Sequence, residues 1–416
     1  MKNMLINNIG QLATPTGSNA RKGKDMNKIK VIHNCSIYIE NDTIVSIGDY
    51  DEVISQVNDL TDCDIINADG KCIIPGFVDS HTHFIFNGYR PDEFIERIKD
   101  SSYLEILKKG GGIQNTVNHT RSASFETLKN DGIARLNDML MQGVTTVEGK
   151  SGYGLDKETE LKQLQVSKLL NKIHPIDIVN TYLGAHAVPL EYLNNPDDYV
   201  EYIINTMIPL VSEKSLAEFC DVFCEDSVFS IKQSKRILTQ AKKYNFKVKL
   251  HADEIVSLGG SELAADLKAI SADHLLMISD IGIQKLIKNN VIATLLPCTA
   301  FCLGKPYAPA RKIIDNGGSV ALASDFNPGS CFTNSISLML SLAVIHMHMT
   351  IEEALTALTL NGAAAIDRAD SIGSIEPGKK ADMVILKYPD YKFLVYNSCI
   401  NIVQAVIKNG KLYSYI

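Results

Sequence analysis

Apolar and polar positions change rhythm twice along the chain. From residue 73 to about 367, short apolar runs alternate with stretches whose apolar residues recur every three or four positions, the signature of repeated βα units. Eight runs predict strands: 73–81, 144–148, 178–184, 220–224, 247–251, 269–274, 291–296 and 319–324. Between them, Ile133, Leu136 and Leu140 share a helical face that stops at Gly143, a C-terminal cap. Thr350-Ile351-Glu352-Glu353 predicts a capping box opening a helix with Ile351, Leu355 and Leu358 on one side. An open doubly wound sheet gives similar alternation, but eight strands is the number that closes a (β/α)8 TIM-like barrel.

Outside that stretch β-forming runs dominate. Residues 37–47 predict a hairpin around Asn41-Asp42, 381–386 a strand, and 402–412 a hairpin turning at Asn409-Gly410. The polar, Lys- and Asn-rich segment 17–30 is expected to be a loose surface loop. The expected fold is therefore α/β: a TIM-like barrel with a small β-sandwich domain built from both chain ends. The divisions fall at 1–74, 75–367 and 368–416.

Composition narrows the partners. The 416-residue chain can bury a large core, and its formal net charge of −7 argues against nucleic acid or an anionic membrane. No apolar run approaches the ~18 residues of a membrane span. The start, Met1-Lys2-Asn3-Met4, is too polar for a signal peptide, so a cytoplasmic chain is expected. Nine cysteines, mostly inside apolar runs, fit that compartment. Cys220/Cys224 and Cys298/Cys302 have zinc-like spacing but no C-x2-C partner pair, and core packing is the better reading. Gly110-Gly111-Gly112 lacks the Lys-Ser/Thr of a phosphate loop and predicts a flexible turn or lid.

Candidate chemistry collects where the strands end. His81 and His83, spaced i, i+2, share one face of the first strand. The third strand runs into His186, the fifth into His251 with Asp253 and Glu254, the sixth into Asp273-His274, and the eighth into Asp325. Any one of these histidines is more often a satisfied structural group. Five of ten on one barrel face point jointly to a metal site.

This H-x-H, with His251, His274 and Asp325, resembles the metal-site layout of the amidohydrolase superfamily. Residues 373–382 resemble that superfamily's C-terminal return to its small β domain. Residues 147–155, 181–189, 251–265 and 325–330 are similar to the imidazolonepropionase family, and the likeness covers essentially the whole chain. Gly149 departs from it, where a larger aliphatic residue is expected. The resemblance implies hydrolysis of the lactam bond of 4-imidazolone-5-propanoate to N-formimidoyl-L-glutamate, and a homodimer.

It implies His81, His83, His251 and Asp325 as ligands of one divalent ion, Zn2+ or Fe2+. The fourth strand offers no lysine for a carboxylated bridge to a second metal, and Lys150 follows the second strand instead. Glu254 is placed for general acid–base work, with His274 and Asp325 as further catalytic groups. Arg90 is expected to grip the substrate carboxylate as a two-pronged donor. Tyr153, His186, Glu254, Asn327, Gly329 and Ser330 complete the implied substrate site. The rival reading is a cytosine- or guanine-type deaminase, whose neutral base gives Arg90 no carboxylate to hold. A metal-free scaffold on the same fold is a more distant rival, because the ligand set is complete.

Overall fold

The computed structural model describes residues 3–57, 63–99 and 111–414. Met1, Lys2 and Gly110, named above, lie outside the described residues. Eight parallel strands follow one another round a barrel: Phe77–Thr82, Val144–Lys150, Asp177–Ala185, Phe219–Cys224, Lys247–Ala252, Ser271–His274, Ile292–Leu295 and Val320–Leu322. They are called the first to eighth strands below. The seam between the eighth and the first is closed by the residues just past the eighth strand. Asp325 N–H donates to the His81 carbonyl at 3.0 Å and His83 N–H to the Phe326 carbonyl at 2.9 Å. Asp79 adds two bonds across the same seam, accepting from Ser324 N–H at 2.9 Å and Ser324 Oγ at 2.6 Å.

One expected strand divides in two. The run 73–81 breaks at Pro75-Gly76, and Cys72–Pro75 joins the end sheet, where it pairs with Met383–Leu386 and Asn3–Thr14. Proline brings no N–H to continue a ladder. A Cβ at Gly76 would stand 2.4 Å from the Thr145 side chain, so the chain turns into the barrel where only glycine fits.

The chain ends share a second eight-stranded sheet, as expected. Its N-terminal strand, Asn3–Thr14, is longer than the short strands foreseen. Met4, Ile6, Ile37, Ile73, Met383 and Ile407, from both ends of the sequence, bury one apolar cluster. Both predicted hairpins form, the second turning at Asn409 (φ 50°) and Gly410 (φ 68°), the left-handed pair a tight two-residue turn requires.

Helices coat the barrel. In Phe125–Met141, Leu136 and Leu140 are buried, and Gly143 (φ 88°) ends the helix by donating to the Leu140 carbonyl at 2.9 Å. The capping box at Thr350 and Glu353 is present. Segment 17–30 corrects the sequence reading, because it is not loose. It contains the 3-10 turn Gly23–Asn27, which buries Met26 under the barrel floor, with Gly23 N–H on the Gly318 carbonyl at 2.8 Å. One buried methionine among polar neighbours carries too little pattern to be read. Among the described residues no helix is long and apolar enough to cross a membrane.

Candidate active site

Strand alternation delivers the histidines. His81 and His83 leave the first strand on one face and are buried at 0% and 1% exposure, with His251 and His274 rising beside them. Asp325 Oδ1 lies 3.5 Å from both His81 Nε2 and His83 Nε2, and His251 Nε2 lies 3.5 Å from His83 Nε2. The potential donor atoms of His81, His83 and His251 all lie within 4.8 Å of one another, as do those of His81, His274 and Asp325. The two triplets share His81, and every donor in them is nitrogen or oxygen.

Their proton states suit a cation. Burial, then the Lys150 charge, holds His81 well below the ordinary histidine value, and burial followed by His186 does the same for His83. His81 Nδ1 lies 2.6 Å from Asp273 Oδ2, which places its proton on Nδ1 and leaves Nε2 a bare lone pair. That buried Nε2 has no hydrogen-bond partner. Asp325 is raised to about 6 by burial and is steadied through Oδ2 by Thr299 Oγ1 at 2.7 Å. Asp325 (φ 51°) and His274 (φ 76°) both adopt left-handed backbone, a cost of order 1 kcal/mol each. The seam bonds hold the first in place, and the bond from Leu275 N–H to the Ala252 carbonyl at 3.1 Å steadies the second.

Glu254 stands at the rim, its side chain 13% exposed and Oε2 3.6 Å from His274 Nδ1. Burial, then Asp325 and Glu225, push it up to about 8. Its loop is pinned by Glu225, which accepts from the N–H groups of Glu254 (3.1 Å), Ile255 (2.7 Å) and Val256 (3.3 Å). Asp253, foreseen only as a neighbour, caps the next helix by accepting from the N–H groups of residues 258–261.

Tyr153 and His186 do gather here: the His186 ring stacks on His83 at 4.9 Å between centroids, with Tyr153 5.3 Å away. His186 Nδ1 donates to the Gly152 carbonyl at 3.1 Å, so Nε2 is left as an acceptor, and burial followed by His251 lowers the ring to about 3. Arg90 is nearby but already partnered. Its Nε donates to Glu93 Oε2 at 2.7 Å and Nη2 to the other oxygen. Its Nη1 lies against Gly329, where a Cβ would come within 2.2 Å. The Asn327 amide is spent on its own loop, accepting from Gly329 N–H at 2.8 Å and Ser330 N–H at 2.7 Å. Ser330 is partly exposed, and its hydroxyl accepts from Asn327 Nδ2 at 2.8 Å and donates to Asn327 Oδ1 at 3.1 Å.

A layer of which the sequence reading named only Lys150 and Asp273, without its joint role, lies beneath the histidines. Glu148, Lys150, Asp221, Lys249 and Asp273 have fully buried side chains. Burial alone would lower Lys150, but Asp221, Glu148 and Asp273 outweigh it and raise it, so it stays an ammonium. The signal for this layer was present as ionisable residues two apart inside apolar strands: Glu148/Lys150 and Lys249/His251. Gly149, the odd residue in its motif, faces outward: a Cβ there would lie 2.8 Å from Phe84 Cε1. The Phe84 ring occupies the space a larger aliphatic residue would need.

Comparison with known proteins agrees with this architecture. Residues 72–413 match the family model described as "Amidohydrolase family". A Clostridium tetani protein named imidazolonepropionase is 55% identical over 410 residues, covering 99% of this chain and 98% of its own. One of the same name from Parabacteroides distasonis is 54% identical, with the same coverage. Among solved structures, guanine deaminase from C. acetobutylicum, with bound guanine, superposes with a TM-score of 0.73 at 17% identity, covering 99% of each chain. An adenosine deaminase from Xanthomonas campestris with bound zinc gives 0.72 at 18% identity, covering 98% of this chain and 92% of its own. At such low identity these two speak for the fold alone. The histidine and aspartate cluster, in such a family, supports a metal cofactor. The chain belongs to the amidohydrolase family and, within it, to the imidazolonepropionase group.

Proposed function

We propose that the chain hydrolyses the lactam C–N bond of 4-imidazolone-5-propanoate, giving N-formimidoyl-L-glutamate in histidine degradation. The observation that carries this is the convergence of His81, His83, His251 and Asp325, with the unpaired His81 Nε2 facing Asp325. The relatives' shared name supplies the reaction. The donor set suits one Zn2+ or Fe2+ per chain, since every donor is nitrogen or oxygen and no lysine bridges a pair. When bound, such an ion lowers the pKa of water towards ~7 and so provides a nucleophile at neutral pH.

The remaining chemistry belongs to side chains. Glu254 takes a proton as a carboxylate and returns it as an acid to the leaving ring nitrogen, a role its raised affinity for protons favours. His274, whose Nδ1 lies 3.6 Å from Glu254 Oε2, holds the polarised carbonyl oxygen. Tyr153 and the His186 ring wall the imidazolone against His83. The propanoate carboxylate goes to the Arg90 Nη1 edge, next to Gly329, with the Ser330 hydroxyl and the loop built by Asn327 beyond it. A deaminase substrate, being a neutral base, leaves that guanidinium edge without a function. We read the protein as cytoplasmic and homodimeric, as its relationship to this group suggests.

An ultraviolet assay of imidazolone propanoate consumption tests the reading. Turnover should vanish with chelator and return with Zn2+ or Fe2+. Release of ammonia from a nucleobase, with the imidazolone untouched, would overturn it.

A further inference from the structure

Inside the barrel, directly beneath the histidines, one ammonium touches the supports of two of them. Lys150 Nζ lies 2.7 Å from Asp221 Oδ2, 2.9 Å from Glu148 Oε1 and 3.7 Å from Asp273 Oδ2. The same Asp221 oxygen stands 2.9 Å from His251 Nδ1, and the same Asp273 oxygen 2.6 Å from His81 Nδ1. The His251 contact is one of charge rather than a well-aligned hydrogen bond, since Nδ1 has no geometric partner. Lys249 props the arrangement from below, donating to Glu148 Oε2 at 2.5 Å and to the Ser80 carbonyl at 2.9 Å.

We propose that Lys150 is a positioning residue that fixes the aim of two histidines from different strands at once, through Asp221 and Asp273. Three carboxylates share this buried interior with two ammonium groups. Without Lys150, the ammonium that touches both aspartates is gone and Lys249, 3.7 Å from Asp273, remains, so the like charges repel and move both off the imidazoles they orient. Orientation at this distance matters because partners of metal-binding histidines commonly govern metal affinity 10–100-fold. The role also explains why a lysine stands at the end of the second strand, where it bridges no metals. This inference rests on the reading of His81 and His251 as metal ligands.

The test pairs Lys150→Met with Lys408→Met in the full-length protein. Lys408 is an equally buried ammonium, 2.8 Å from Asp177 and 2.7 Å from Asp382, at the junction of the barrel with the end sheet. Zn2+ affinity is measured by chelator competition, and ligand geometry by the visible absorption of the Co2+-substituted protein. Lys150→Met should weaken Zn2+ binding about 10–100-fold and alter the Co2+ spectrum. Lys408→Met should lower the melting temperature and change neither reading. Wild-type affinity and spectrum in Lys150→Met would overturn the proposal, as would equal weakening by Lys408→Met. If Lys150→Met does not fold, Asp273→Asn, which keeps an acceptor of the same size, should weaken Zn2+ binding by a similar factor. No change there overturns the proposal equally. A wild-type chain that takes up neither Zn2+ nor Co2+ at these histidines would instead sink the functional reading on which this one rests.

Discussion

Two buried polar clusters in this molecule obey opposite rules. At the junction of barrel and end sheet, Lys408 sits between Asp177 and Asp382, and Asp382 also accepts from Asn409 N–H at 3.1 Å. Every charge there meets its complement. At the barrel mouth, by contrast, His81 Nε2, His83 Nδ1, His251 Nδ1 and His274 Nδ1 are buried without a hydrogen-bond partner. An unpaired buried polar atom costs about 1–3 kcal/mol. His251 Nδ1 and His274 Nδ1 lie beside the Asp221 and Glu254 carboxylates, whereas His81 Nε2 faces Asp325 Oδ1 in the donor cluster, where a bound cation would remove its loss. Satisfied clusters hold the fold together; unsatisfied ones mark where something else is meant to bind.

Substitutions in each cluster sharpen that contrast. The largest effect is expected from His251→Ala, which should bring turnover to background and leave the isolated protein short of metal while the chain stays folded. Full metal content in that variant would place the ion elsewhere. Glu254→Gln comes next: metal retained, kcat down about 10²–10⁴-fold, and the acid limb of the pH–rate profile gone. Unchanged kcat would remove Glu254 from the chemistry. Arg90→Lys should raise KM for the propanoate substrate about tenfold or more with little change in kcat, since a two-pronged charged contact is lost. An unchanged KM would put the tail elsewhere.

Stability changes follow, and they belong to the other cluster. Lys408→Met should cost about 3 kcal/mol, the low end for a broken buried pair because Asp177 is 35% exposed, with kinetics unaltered. Denaturant unfolding measures it. Gly149→Val should cost about 1–3 kcal/mol by crowding Phe84. Proton linkage gives the smallest effect. In the metal-free chain Glu254 is raised to about 8 from an ordinary 4.5, so the folded state binds its proton more tightly than the unfolded state does. That contribution is complete below about pH 4.5 and is lost as pH rises through 8. Glu254→Gln should therefore melt higher than wild type above pH 8 and gain little at pH 5. A constant difference across that range would contradict the assignment.

The two clusters also differ in how well the sequence announces them. His81, His83, His251, His274 and Asp325 were legible because strand alternation and strand ends leave a pattern in one dimension. The supports were not. Asp221 meets Lys150 across 71 positions and Asp273 meets His81 across 192, and nothing local distinguishes an aspartate that will face a histidine from one that will face water. The Arg90–Glu93 pair was missed for another reason. A guanidinium three residues ahead of a carboxylate is an ordinary helix-start pairing, and only the fold shows that its third edge looks onto Gly329. The split of 73–81 at Pro75-Gly76 was visible as a turn dipeptide, but an unbroken apolar run concealed it.

X-ray absorption at the metal edge of the reconstituted protein tests the central claim most directly, for it counts and identifies the atoms around the ion. The expected result is one ion per chain in a shell of nitrogen and oxygen only, with imidazole back-scattering that falls by about a third in His251→Ala. Two ions per chain, a sulfur neighbour, or a spectrum indifferent to His251 would contradict it.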